Sequence, residues 1–213
     1  MNRVLMIYSC FIGMFLASCT HSNDIQTLIL QPDGKKGKDN VIVSLWLEKN
    51  KYVSQEFASC AWTAMGKSVT LRSLLEFDLS QIPKSTKIID ARLSLFSYGS
   101  MHNGNHTTSG GSNESVIQRI IQPWDEAEVH WGNQPLTTEQ NQVFLLESVA
   151  PIENYLNIDV TTMIQDMINN PEEGHGFMLK LVNEVHYRRM LFASSDNYNS
   201  NLHPKLELKY VLK

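Results

Sequence analysis

Ile88-Ile89-Asp90-Ala91-Arg92-Leu93-Ser94-Leu95-Phe96-Ser97-Tyr98 alternates with a period of two. Ile89, Ala91, Leu93 and Leu95 fall on one side, and Arg92, Ser94 and Phe96 on the other. That is the pattern of a strand with one face on a core. Shorter runs of the same kind extend in both directions, over residues 25–30, 41–47, 70–79, 115–121, 142–147, 155–160, 176–182, 187–193 and 205–212. Turn residues such as Pro32-Asp33-Gly34 and Gln81-Ile82-Pro83-Lys84 separate them. Many short strands joined by turns make an antiparallel sandwich or barrel. One stretch departs from this pattern. After Thr161-Thr162, which can cap a helix, Met163, Ile164, Met167 and Ile168 recur at helical spacing until Asn169-Asn170-Pro171. This predicts one short helix over 161–169, packed on the sheets through a single apolar stripe. Residues 99–115, rich in Gly, Asn, His and Ser, read as a mobile loop.

The composition agrees with one all-β domain. Of 213 residues, 42% are apolar, enough to fill one core and too many for a disordered chain. A net charge of −4 and the absence of a basic run exclude the electrostatic footprint of a nucleic-acid binder. With 3 Cys, a disulfide-dense scaffold is excluded too.

The N-terminus reads as an export signal. Residues 1–18 carry one charge, Arg3, followed by apolar runs that are short for a spanning helix. Leu16-Ala17-Ser18-Cys19 looks like a bacterial lipobox, in which Cys19 is lipidated and becomes the first mature residue. The expected organisation is a signal peptide over 1–18, a lipidated tether over 19–24 and one domain over 25–213. The location implied is a bacterial cell envelope, with the lipid in the outer membrane on its periplasmic or surface face. Cys10 leaves with the signal, so Cys60 is the remaining thiol, expected as a small buried hydrophobe.

Arg72-Ser73-Leu74-Leu75-Glu76-Phe77-Asp78-Leu79-Ser80-Gln81-Ile82-Pro83 resembles the opening signature of the DNRLRE domain, also classed as a carbohydrate-binding module related to methanogen disaggregatase. The family's "I..A.L.L" strand is matched by Ile89 to Leu95, and its Trp-to-Pro element by Trp124-Asp125-Glu126-Ala127-Glu128-Val129-His130-Trp131-Gly132-Asn133-Gln134-Pro135. Ile158-Asp159-Val160-Thr161, Gly176-Phe177, Phe192 to Asp196 and His203 to Tyr210 follow in the family's order. His130 stands where the family usually has Thr, and Asp196 where it often has Glu. The resemblance implies a jelly-roll-like antiparallel β-sandwich and a non-catalytic role at cell-surface or extracellular polysaccharide. The other reading is a structural or adhesive envelope lipoprotein without a glycan ligand.

Four side chains are candidates for ligand contact. Trp124 and Trp131 lie inside the signature and are expected as packing anchors. Trp46 and Trp62 lie outside it and are better candidates for a sugar platform, because an aromatic face packs on pyranose C–H groups. His186-Tyr187-Arg188-Arg189 is a combination a polysaccharide lyase could use, but a binding strand is the stronger reading. Alternation puts Tyr187 and Arg189 on one face, and Arg189 is the candidate partner for an acidic sugar. His102 and His106, four apart in a loop, lack a third metal ligand. Asp125 and Glu126 are neighbours that point apart on a strand and make no glycosidase pair. No cofactor is expected, and a structural calcium ion held by loop carboxylates stays open.

Overall fold

The computed structural model describes residues 24–46, 54–100 and 103–212. The strands are β1 (Gln26–Leu30), β2 (Lys38–Val43), β3 (Glu56–Ala64), β4 (Lys67–Glu76), β5 (Lys87–Leu95), β6 (Ser115–Ile120), β7 (Thr137–Leu145), β8 (Tyr155–Asp159), β9 (Phe177–Leu181), β10 (Arg188–Ala193) and β11 (Lys205–Val211). A helix, α1 (Thr161–Asn169), lies between β8 and β9. Four strands form one sheet in the order β1-β11-β5-β8, and seven form the other in the order β10-β3-β4-β9-β6-β7, with β2 also paired to β4. Every pairing is antiparallel. This is the expected all-β sandwich.

The main core lies between the sheets. Leu93 and Leu95 of β5 and Leu206 and Leu208 of β11 meet Phe57, Leu75, Ile117, Leu179 and Phe192 from the larger sheet. The helix closes one edge with Met163, Ile164, Met167 and Ile168, all buried, as the i,i+4 spacing requires. The two threonines do not cap it. Val160 holds the N-cap position, and Asp159 Oδ1 accepts from the Thr161 backbone N at 3.0 Å. The Thr161 hydroxyl instead accepts from Ala91 N of β5, tying the helix to the sheet. No helix among the described residues is long and apolar enough to cross a membrane.

Two further local features depart from the sequence reading. The alternation in β5 breaks at its start: Ile88 is buried, whereas Ile89 is 41% exposed. The register explains this, since Tyr210 pairs with Ile88 and Lys209 with Asp90, leaving Ile89 as the extra residue of a bulge that shifts the phase. The second is β3, which the sequence conceals. Ala58, Ser59, Cys60 and Ala61 are small residues without β-branching, yet each is buried within the larger sheet. The Cys60 thiol is free, and burial pushes its pKa up to about 11, so it is an inert packing group. Met65-Gly66 closes the β3–β4 hairpin with both φ values positive, the backbone that matches strand twist in a two-residue turn.

Candidate functional site

Outward-facing side chains of β3 and β10 form two neighbouring rows. The register sets Glu56, Ala58 and Cys60 opposite Ala193, Leu191 and Arg189, and Trp62 follows at one end. Trp62 and Tyr187 meet edge to face, 5.1 Å between ring centroids, and the Arg189 guanidinium carbon lies 5.1 Å from the Trp62 ring. Tyr187 is 44% exposed and adopts φ +65, so the chain turns sharply as it enters β10. His186 reaches Ser68 Oγ at 2.8 Å. The structure therefore brings three of the four candidates together.

Trp46 is the exception. It is 50% exposed, follows β2, and makes no ring contact with Trp62 or Tyr187 among the described residues.

A strap over residues 103–115 runs along β10, where the composition predicts a mobile loop. Thr107 exchanges both backbone hydrogen bonds with Arg189. His106 is buried; its Nδ1 accepts from Leu191 N at 2.8 Å, and its Nε2 faces Glu153 O at 2.9 Å. These partners define the neutral tautomer with the proton on Nε2. Asn113 is also buried and donates to Ser148 Oγ and Arg189 O. At Gly110 the strap passes so close to the His186 carbonyl that a Cβ would overlap it. His102 lies outside the described residues, and both nitrogens of His106 are committed to the fold.

The arginines hold this strap. Arg189 donates through Nε and Nη2 to Asn105 O at 3.0 and 2.8 Å, and Arg188 does the same to Gly110 O at 2.9 and 2.6 Å. Each guanidinium thus turns an edge toward a backbone carbonyl. Arg189 also lies against the Trp62 ring, so one guanidinium ties the strap to that tryptophan.

The signature tryptophans are anchors. Trp124 is buried, donates from Nε1 to His175 O at 3.0 Å, and carries Lys38 Nζ 4.3 Å from its ring centroid. It packs with Ile42, Leu74, Ile120, Val129 and Met178 on the outer side of the larger sheet. Trp131 borders that cluster with Arg72 4.7 Å from its ring.

Two acids of the signature accept from separate backbone groups. Asp125 Oδ1 accepts from Ala127 N, while Glu126 Oε1 accepts from Asp39 N. Burial raises the pKa of Asp39, Glu126 and Asp196, and Asp39 is nonetheless held by the Ser195 backbone N at 2.7 Å. Among the described residues no group of three or more His, Cys, Asp or Glu side chains is arranged to hold a metal ion.

Sequence reasoning missed Tyr98, Tyr198, Glu56 and the strap. Tyr98 and Tyr198 meet edge to face at 6.3 Å, and Tyr198 is 78% exposed. No motif flags them, because they come together only through pairing of residues distant in the chain.

The sequence model of carbohydrate-binding module family 96 matches residues 48–210, more than half of the chain. No curated protein matches it.

Proposed function

Because the chain belongs to carbohydrate-binding module family 96, we propose that residues 25–213 are a non-catalytic polysaccharide-binding domain that engages its ligand on the outer face of β3 and β10. The observation that carries this reading is the Trp62–Tyr187 pair held under Arg189. A sugar ring stacks on an aromatic surface with little loss when that surface is already ordered. Of the groups here that a lyase could use, both arginines bond carbonyls and His186 bonds Ser68.

The domain would be carried by an envelope lipoprotein anchored through Cys19. The direction of the chain favours a platform turned away from that anchor. Gln26 pairs with Tyr210, and Tyr210 with Ile88, so the first residue of β1 lies at the same end of its sheet as the start of β5. From there β5 runs away to Leu95, and the following residues pair with β10 at Ala193 and Leu191. Tyr187 lies four residues farther in the same direction.

Trp62→Ala is expected to weaken retention on the bound polysaccharide by roughly tenfold or more, the equivalent of losing most of one aromatic side chain's buried contact. Trp46→Ala should change it by less than about twofold, since that ring stands apart. Affinity electrophoresis in gels containing xylan, pectin or alginate checks both. Equal effects of the two substitutions would move the site, and retention on no glycan would favour a structural lipoprotein.

A further inference from the structure

We infer that Asp39, Ser195 and Asp196 form a site for one calcium ion, where the β1–β2 loop closes on the turn that follows β10. The loop is itself folded tightly, with Lys36 N and Gly37 N both donating to Asp33 O at 2.9 and 2.6 Å. It ends in β2, where the Asp39 carboxylate accepts from Ser195 N at 2.7 Å. Its glycines bring the backbone directly onto the turn. A Cβ on Gly34 would overlap the Asp196 carboxylate, and one on Gly37 would overlap the Ser195 side chain. Two carboxylates and a hydroxyl thus gather beneath one loop, from segments more than 150 residues apart.

These oxygens are short of positive partners. Ser195 is 2% exposed, and its Oγ lies near the Asp39 carboxylate yet has no hydrogen-bond partner of good geometry among the described residues. A buried hydroxyl left in that state is costly, and a cation beside it would take its lone pair. Asp39 is buried too, and Asp196 and Glu126 add like charge around it. His203 faces Asp39 and Asp196, but its Nε2 is engaged with Asn197 O at 2.7 Å. Lys38 acts on Glu126, but its ammonium bonds Glu76 at 2.6 Å. The donor set is all oxygen, without a thiolate or a free imidazole, which suits a hard cation. Calcium takes about six to eight oxygens in flexible geometry, and loop carbonyls and water can complete two carboxylates and a hydroxyl. Asp196 is partly exposed, so the ion has a way in.

Equilibrium dialysis of the mature chain against radioactive calcium, with thermal unfolding followed in the same buffers, tests this. The expected result is one saturably bound ion per chain at roughly 0.1–1 mM, the affinity range of extracellular calcium modules. Excess calcium should raise the melting midpoint by several degrees, because the ion binds the folded chain alone. Asp196→Asn is expected to weaken binding by roughly tenfold or more, and Ser195→Ala by about threefold or more, as ligand charge and number fall. Without calcium, Asp196→Asn should melt no lower than wild type, since it removes a charge that burial disfavours. That comparison separates a lost ligand from a lost fold. No calcium bound at about 10 mM, well above the range of such modules, overturns the inference. Binding that Asp196→Asn and Ser195→Ala both leave within about twofold of wild type overturns it as well, because the ion then sits elsewhere. The experiment contains no sugar, so the proposed function stands or falls separately.

Discussion

Trp124→Ala should cost about 3–5 kcal/mol of folding stability, the range for deleting a large buried aromatic side chain. The indole is 8% exposed within the cluster of Ile42, Leu74, Ile120, Val129 and Met178, outside the main core. Its loss opens a void on the outer face of the larger sheet and leaves His175 O without its donor. Lys38 also loses the ring over which its ammonium sits. Urea unfolding reads the effect as a lower midpoint. A cost below about 1 kcal/mol would mean that the signature tryptophan serves ligand contact instead of packing.

His106→Ala should cost about 2–4 kcal/mol, because both ring nitrogens join separate elements and the ring packs on Phe192 at 5.1 Å. Burial lowers the pKa of His106 below the ordinary 6.5. The folded state therefore resists protonation, and a proton on Nδ1 would confront the Leu191 N–H. The resulting stability is whole above about pH 6.5 and is lost as pH falls through the depressed value. The difference in unfolding midpoint between wild type and His106→Ala should shrink between pH 7.5 and 5. A difference that stays constant or grows would contradict the neutral, strap-bearing role of His106. Because the strap carries Asn105, whose carbonyl holds Arg189 beside Trp62, this substitution should also weaken polysaccharide binding.

Much of the sandwich is legible in the chain, for physical reasons that differ by element. The alternation of Ala91, Arg92 and Leu93 reports burial that the structure shows, although Ser94 beyond them is buried as well, its hydroxyl accepting from Asn157 N, and the helix follows from the spacing of Met163, Ile164, Met167 and Ile168. The bulge at Ile89 is invisible because both isoleucines suit a strand, and only pairing to Lys209 and Tyr210 decides which one turns inward. β3 is hidden for a different reason. Its Ala, Ser and Cys residues are selected by crowding inside the sheet, a tertiary effect that local propensity does not record.

The candidate face is legible only in pieces. Trp62, Tyr187 and Arg189 stand out singly as aromatic and cationic residues, but their meeting depends on β3 pairing with β10 across more than a hundred residues. The ordering of the strap depends on Leu191, Glu153 and Ser148, none of which is near it in sequence. Its Gly, Asn and Ser content signals local freedom and says nothing of those distant partners.

The most direct test of the account is retention of the mature domain on immobilised xylan, pectin, mannan and alginate, with reducing ends and absorbance near 235 nm followed in the same samples. Elimination at a uronate would produce an unsaturated product absorbing at about that wavelength, and hydrolysis would release new ends. The expected result is retention on at least one polysaccharide that is lost in Trp62→Ala, with neither signal rising over hours. Retention unaffected by Trp62→Ala, release of product, or passage through every matrix would contradict a non-catalytic binding face on β3 and β10.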